Sequence, residues 1–238
     1  MRRALRVSFV VAAGVAVGGI LSGGAFAQAP GAQPAAPAGA WVSAPVVNEL
    51  PNPYNTIEGW ARLPEGRTWG STSAVDIDRD GKSVWVAERC SANSCWDRAK
   101  GEMSPLNTVF KFDPTGKMVT SFGQGMFVFP HGIHVDRDGN VWVTDGQSNL
   151  PARAPGQPAD APLPAMPAKV VGHQVVKFSP EGKVLLTLGK AGGNVPGQPA
   201  DPASFYQPND VITNQKGEIF VGEGHSSAPG AVARILKF

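Results

Sequence analysis

Cysteine is scarce in this chain, with two residues among 238, Cys90 and Cys95. That excludes a disulfide-rich scaffold and any four-cysteine zinc or iron–sulfur centre. Charge is thin as well: 17% of residues are Asp, Glu, Lys or Arg, and the formal net charge is +2. Even that small excess is local. Arg2, Arg3 and Arg6 stand at the start, and without residues 1–27 the chain carries 18 basic against 19 acidic side chains. No basic patch remains for a nucleic-acid partner. A Gly-rich phosphate loop and a serine nucleophile elbow are missing too. What abounds is 29 Gly and 22 Pro, residues that mark turns and stay out of helix interiors. An all-helical fold is excluded.

Residues 1–27 read as a signal peptide. The three arginines form a positive start, an apolar run follows from Val7 to Leu21, and Ala25-Phe26-Ala27 gives the small-x-small cleavage pattern. The apolar run is short for a membrane span, so no membrane partner is expected after cleavage. The expected destination is periplasmic or secreted, where Cys90 and Cys95 are expected to pair. Residues 28–40, rich in Pro and Ala, have nothing to bury and read as a disordered linker. Residues 41–238 read as one domain, with a Pro-rich insertion at about 147–172 that suits neither strand nor helix.

The domain contains a repeat. One phrase recurs as Val84-Trp85-Val86-Ala87-Glu88, Val141-Trp142-Val143-Thr144-Asp145 and Ile219-Phe220-Val221-Gly222-Glu223. Before each lies a turn (Asp78-Arg79-Asp80-Gly81, Asp136 to Asn140, Asn214 to Gly217). Before each turn lies an alternating strand: Ala74 to Ile77, Gly132 to Val135, Asp210 to Thr213. After each comes a third strand ending at Phe112, Phe178 or Phe238, and twice a Pro-x-Gly turn and a fourth strand follow. Alternating apolar residues of β-branched and aromatic type suit half-buried strands. Four antiparallel strands per repeat are the signature of a β-propeller blade, and closed rings need about four to eight blades. Three are visible, the last broken off at Phe238, so about half a ring is expected, with the C-terminal blades missing.

Four histidines follow the leader: His131, His134, His173 and His225. His131 stands where a first strand begins, aimed at the ring axis, where a zinc ion could gather one imidazole from each of several blades. The alternative is a hydrogen-bonded channel residue. His134, an odd number of positions on, belongs to the opposite strand face and is expected to pack in the blade. His173 follows the insertion and reads as a surface-loop residue. His225 ends a second strand on the rim where first strands begin, within reach of His131. Arg89 ends the equivalent strand. It could hold a carboxylate with two parallel hydrogen bonds, or be a surface residue paired with Glu88 or Asp97. Asp76 to Gly81 matches the opening of an EF-hand loop, but position 12 is Ala87 and no helices flank it, so a hairpin is expected.

The segment Phe129-Pro130-His131-Gly132-Ile133, with Val135 to Asp145, Gly172-His173-Gln174-Val175 and Lys177-Phe178, resembles the NHL-type propeller of the peptidyl-α-hydroxyglycine α-amidating lyases (peptidylamidoglycolate lyases). Phe205, Gln207-Pro208, Asp210-Val211 and Arg234-Ile235 continue the likeness. The resemblance implies a six-bladed ring, with roughly its N-terminal half present. It implies a zinc ion held partly by His131 and a calcium ion taking the backbone carbonyls of Val75 and Ile133. Arg89 is implied as the active-site arginine. The family's active-site Tyr falls at His225, which could still act as acid or base. A family disulfide would fall at Tyr206 and Ser226, and is absent. The next first strand offers Asn209, not His. The implied reaction splits a carbinolamide, small or peptidic, into an amide and glyoxylate, and a fragment with one zinc histidine is expected to be inactive. The alternatives are a non-catalytic extracellular binding propeller and a lactonase-like metal-dependent hydrolase.

Overall fold

Strands with apolar side chains on both faces cannot stand alone in water, and here they stack face to face. The computed structural model describes residues 51, 53–153, 156–158, 160–194, 199–225 and 232–238. The expected signal peptide and linker lie outside the described residues. Thirteen strands run in order: β1 Thr72–Ile77, β2 Val84–Glu88, β3 Trp96–Asp97, β4 Glu102–Met103, β5 Val109–Phe112, β6 Met118–Phe122, β7 Pro130–Val135, β8 Val141–Asp145, β9 Val175–Phe178, β10 Val184–Leu188, β11 Pro208–Thr213, β12 Ile219–Glu223 and β13 Arg234–Lys237. All belong to the compact unit Asn55–Phe238. No helix occurs among the described residues.

The strands form three antiparallel blades: β1-β2-β5-β6, β7-β8-β9-β10 and β11-β12-β13. The fold is all-β, with three β-propeller blades among the described residues. A small hairpin, β3-β4, rises from the loop between β2 and β5. The repeat as read from the sequence contains no strand there. Each innermost strand starts two residues earlier than the alternation predicts, because a register irregularity interrupts it at Thr72/Ala74, Pro130/Ile133 and Pro208/Asp210. Such an irregularity inserts a residue and re-aims the side chains beside it. The described part of the Pro-rich insertion contains no strand beyond an isolated bridge, Ser148 to Gly172.

Alternation decides which blade faces which. Trp85, Ala87 and Val109 of the first blade meet Ile133, Val143 and Phe178 of the second. Trp142 and Val175, on the second blade's other face, meet Val211 and Val221 of the third. Each indole is braced. Trp85 donates Nε1–H to Asp78 (2.7 Å), which also takes Lys111 Nζ (2.9 Å). Trp142 does the same to Asp136 (3.0 Å), with Lys177 at 2.9 Å. Burial alone would push the Asp136 carboxyl up, but Lys177, Trp142 and Asn140 hold it down to about 2. The third blade has Asn214 and Phe220 at these places. There the acid has moved to Glu218, which pairs with Lys237 and accepts from Asn214.

The outer face of the first blade is partly covered by chain before β1. Trp60, Ala61 and Leu63 pack on Val86, Phe110 and Phe112. The inner end of that face stays open, with Val75 66% and Ile77 54% exposed. On the third blade Ile212 (54%) and Ile235 (80%) are exposed.

Candidate active site

Three acids close the second strands at the rim: Glu88, Asp145 and Glu223. Each carboxylate takes at least one backbone N–H from the segment that leads into its own blade. Glu88 accepts from Gly70 and Ser91 (both 3.0 Å). Asp145 accepts from Val128 (2.8 Å) and Phe129 (2.7 Å), and Glu223 accepts from Tyr206 (2.7 Å). Glu88 and Glu223 also have arginine partners, Arg67 and Arg234. Asp145 has none among the described residues. Burial pushes its carboxyl up to about 7 in spite of the backbone donors. These clamps fix where each first strand starts, and so where His131 stands.

His131 follows Phe129-Pro130 at the head of β7. Its Nδ1 lies 2.9 Å from the carbonyl oxygen of Asn209. A carbonyl only accepts, so Nδ1 carries the proton and the free lone pair is on Nε2. This contact depends on Gly132. A Cβ there would come within 2.6 Å of Asn209 O, so glycine lets β11 approach β7. Burial lowers the His131 pKa, with the Asn209 bond opposing and His225 adding to the drop. The His225 ring stands edge-on to His131, 4.7 Å between centroids. The two rings, with Ser73, Val75, Ile133, Asn209 and Asp210, line an open recess of about 420 Å3.

Arg89 is not the surface residue that the alternative reading describes. It is 7% exposed and pairs with neither Glu88 nor Asp97. Its guanidinium carbon lies 3.3 Å from the centroid of the Phe129 ring. Nε–H donates to Pro130 O (3.2 Å), Nη1 to Asn93 Oδ1 (2.8 Å) and Nη2 to Ser73 Oγ (3.3 Å). All three acceptors are neutral. The guanidinium has five N–H groups, which leaves one on each terminal nitrogen. Burial lowers its pKa, offset by Asp145. Ser73 ties the arginine to the histidine, because its Oγ also lies 2.9 Å from His131 O.

His134 points away from His131. Its Nε2 accepts the Thr213 N–H (3.2 Å), and Nδ1 is 3.5 Å from Asp76 Oδ2, so it links all three blades. His173 corrects the surface-loop reading. It is 6% exposed, accepts Gln207 N–H on Nδ1 (2.8 Å) and stacks on Tyr206 at 5.5 Å. The loop after the insertion folds inward there, with His173 at φ +54°. Cys90 and Cys95 form a disulfide, Cα to Cα 5.2 Å. The roles of Ser73, Asn93 and Phe129 leave no mark in the sequence, because each depends on Arg89, which lies 16, 4 and 40 residues away in the chain.

The His131 tautomer is compatible with metal ligation, because metal-binding histidines commonly donate the other ring N–H to a carboxylate or a backbone carbonyl. No group of three or more His, Cys, Asp or Glu side chains is gathered for a metal among the described residues. Val75 and Ile133 occupy equivalent places on adjacent inner strands, opposite Val86 and Val143. Two carbonyls are well short of the roughly six to eight oxygens calcium takes, so these residues do not by themselves make a calcium site.

No family model matches the chain. It is 30% identical over 182 residues to peptidyl-α-hydroxyglycine α-amidating lyase 1 of Drosophila melanogaster, covering 71% of this chain and 27% of that protein. It is 33% identical over 165 residues to a probable peptidyl-α-hydroxyglycine α-amidating lyase of Caenorhabditis elegans, covering 69% and 37%. The chain thus spans well under half the length of these relatives. Overlap with the crystal structure of virginiamycin B lyase from Staphylococcus aureus is slight (TM-score 0.36, 13% identity, 70% of this chain and 40% of that one). The chain folds as stacked β-propeller blades and resembles the peptidyl-α-hydroxyglycine α-amidating lyases in sequence over 69–71% of its length.

Proposed function

We propose that this propeller carries part of an amidating-lyase site, which binds a carbinolamide by its carboxylate and divides it into an amide and glyoxylate. The observation that carries this reading is Arg89. A buried charge is costly unless paired, yet no carboxylate pairs with this one among the described residues. Asp145, whose charge acts on Arg89, is itself pushed up to about 7 by burial. The free N–H on each of Nη1 and Nη2 suits two oxygens of one carboxylate. Beside it stand two imidazoles, one with its lone pair free.

In this reading Arg89 anchors the carboxylate and the Phe129 face keeps the guanidinium flat. His225 takes the proton from the substrate hydroxyl. The carbon–nitrogen bond breaks as the carbonyl of glyoxylate forms, and the proton returns to the departing amide nitrogen. His131 would be one ligand of zinc, which when bound lowers the pKa of the substrate hydroxyl and favours the developing alkoxide. No step is assigned to calcium. Export to the periplasm or beyond, from the leader, belongs to the same proposal and agrees with the Cys90–Cys95 disulfide.

Titration calorimetry with glyoxylate tests the anchor. Binding is expected to weaken at least about tenfold in Arg89→Gln, the worth of one charge-assisted hydrogen bond. Equal affinity in both proteins overturns the reading. With His131 outside any three-ligand group among the described residues, the chain alone is expected to release little glyoxylate from an α-hydroxyglycine substrate. A second reading, a non-catalytic binding propeller, draws on the same lack of a complete ligand set. It is favoured if carboxylates bind but zinc brings no turnover in a longer form of the protein.

A further inference from the structure

The chain leaves β2 through an unusual reversal. Cys90 (φ 53°) and Ser91 (φ 61°) both occupy the left-handed region, although neither is glycine. Such residues persist only where the surroundings over-determine them. Here the restraints are dense. The disulfide joins Cys90 to Cys95. Ser91 N–H donates to Glu88 (3.0 Å), and its Oγ donates to Thr68 O (2.7 Å). Ser71 N–H reaches Ala92 O (2.7 Å), and Cys95 N–H reaches Val128 O (2.8 Å). Gly70 lies so close that a Cβ would meet Ala92 backbone at 2.5 Å.

All this holds one side chain in place. Asn93, between the two cysteines, presents Oδ1 to Arg89 Nη1 at 2.8 Å. It is exposed and buries no core surface. Pro130 O and Ser73 Oγ fix the other edge of the guanidinium. Without Asn93 the planar guanidinium could swing as a unit about its side-chain single bonds, and the two spare N–H groups would lose their fixed direction.

We infer that Asn93 is a positioning residue for Arg89, and that the Cys90–Cys95 disulfide makes carboxylate binding at Arg89 depend on the loop being closed. The part concerning carboxylate rests on the function proposed above; the part concerning Arg89 orientation does not.

Two readouts separate them. The first is the Arg89 Nε–Hε signal in a 1H–15N spectrum, assigned by its loss in Arg89→Lys. The second is glyoxylate affinity by calorimetry. In Asn93→Ala, Hε exchange is expected to speed up and glyoxylate affinity to fall about tenfold. Asn93→Asp, which keeps an acceptor, is expected to restore Hε protection. Reduction of the folded protein by a phosphine is expected to reproduce the Asn93→Ala result, as is Cys90→Ser with Cys95→Ser. Unchanged Hε exchange in Asn93→Ala overturns the positioning role. Unchanged exchange on reduction, with thiols confirmed, overturns the role of the disulfide. If Hε exchange responds but glyoxylate affinity does not, or glyoxylate does not bind at all, the positioning role stands and the carboxylate reading of Arg89 fails.

Discussion

His173 gives the sharpest test of this packing. Its Nδ1 accepts the Gln207 N–H, so that nitrogen cannot carry a proton in the folded state. Burial lowers its pKa from 6.5 to about 4. In the unfolded chain the ring titrates at its ordinary value. Between these limits the unfolded state binds the proton and the folded state does not, so stability falls as pH falls. Above pH 6.5 both states are neutral and nothing is lost. The loss works out at about 2 kcal/mol at pH 5 and about 3 kcal/mol below pH 4, from about 1.4 kcal/mol per unit. Asp145 works in the opposite direction. Its folded pKa of about 7 lies above its ordinary 3.8, so its contribution favours the folded state increasingly as pH drops from 7. A difference between two proteins that both keep Asp145 removes that contribution. His173→Asn is the partner of choice, because asparagine tolerates the left-handed backbone at φ 54° and offers an oxygen to Gln207 N–H. Urea midpoints from pH 4 to 7.5 would be compared. At pH 7.5 the variant is expected to be weaker by about 1–2 kcal/mol, through lost packing on Tyr206. Near pH 5 the curves should meet, and at pH 4 the variant should be the more stable protein. Parallel curves across this range would refute the argument that burial keeps this ring neutral.

Gly132→Ala should cost about 1–3 kcal/mol, because the new methyl meets the backbone of Asn209 and Asp210 and neither is a flexible chain end. Calorimetry should show a drop in Tm of about 2–4 °C per kcal/mol. The 15N shifts of His131 should report loss of the fixed Nδ1–H form, and an unchanged Tm would count against the close approach of β7 and β11. Asp136→Asn should lose about 2–3 kcal/mol, less than the roughly 3–5 for a fully buried pair, because Lys177 keeps some solvent contact. Adding Lys177→Met should recover part of that loss in a chemical denaturation series, and no recovery would show that the pair is not coupled. Since the Asp136 carboxyl is held down to about 2, its contribution is present above the ordinary carboxylate range and is lost as pH falls through about 4 toward 2. That acid limb should vanish in Asp136→Asn.

The repeat was legible because it is local. A strand of alternating valines and aromatics preceded by a Gly-containing turn has one reading wherever it lies, and Val84, Val141 and Ile219 each start such a strand. The likeness of the Phe129-Pro130-His131-Gly132 segment to the amidating lyases could also be read without coordinates. The positions of first-strand ends could not, since a register irregularity leaves no mark in the alternation. His173 was misread for a related reason: a histidine after a Pro-rich stretch looks exposed until the loop is seen to turn under Tyr206. Arg89 carried two readings on sequence, and the choice between them rested on Phe129, Pro130 and Ser73, none of which neighbours it in the chain.

By itself the sequence determined the period of the strands, their turns and the two faces of each blade, because these follow from the spacing of apolar and turn residues along one chain. Only the tertiary structure decided which side chains from different blades meet. Burial of Arg89 among neutral acceptors, the proton position on His131 and the approach of His225 all depend on how three sheets stack, and stacking brings together residues with no signal in common along the chain.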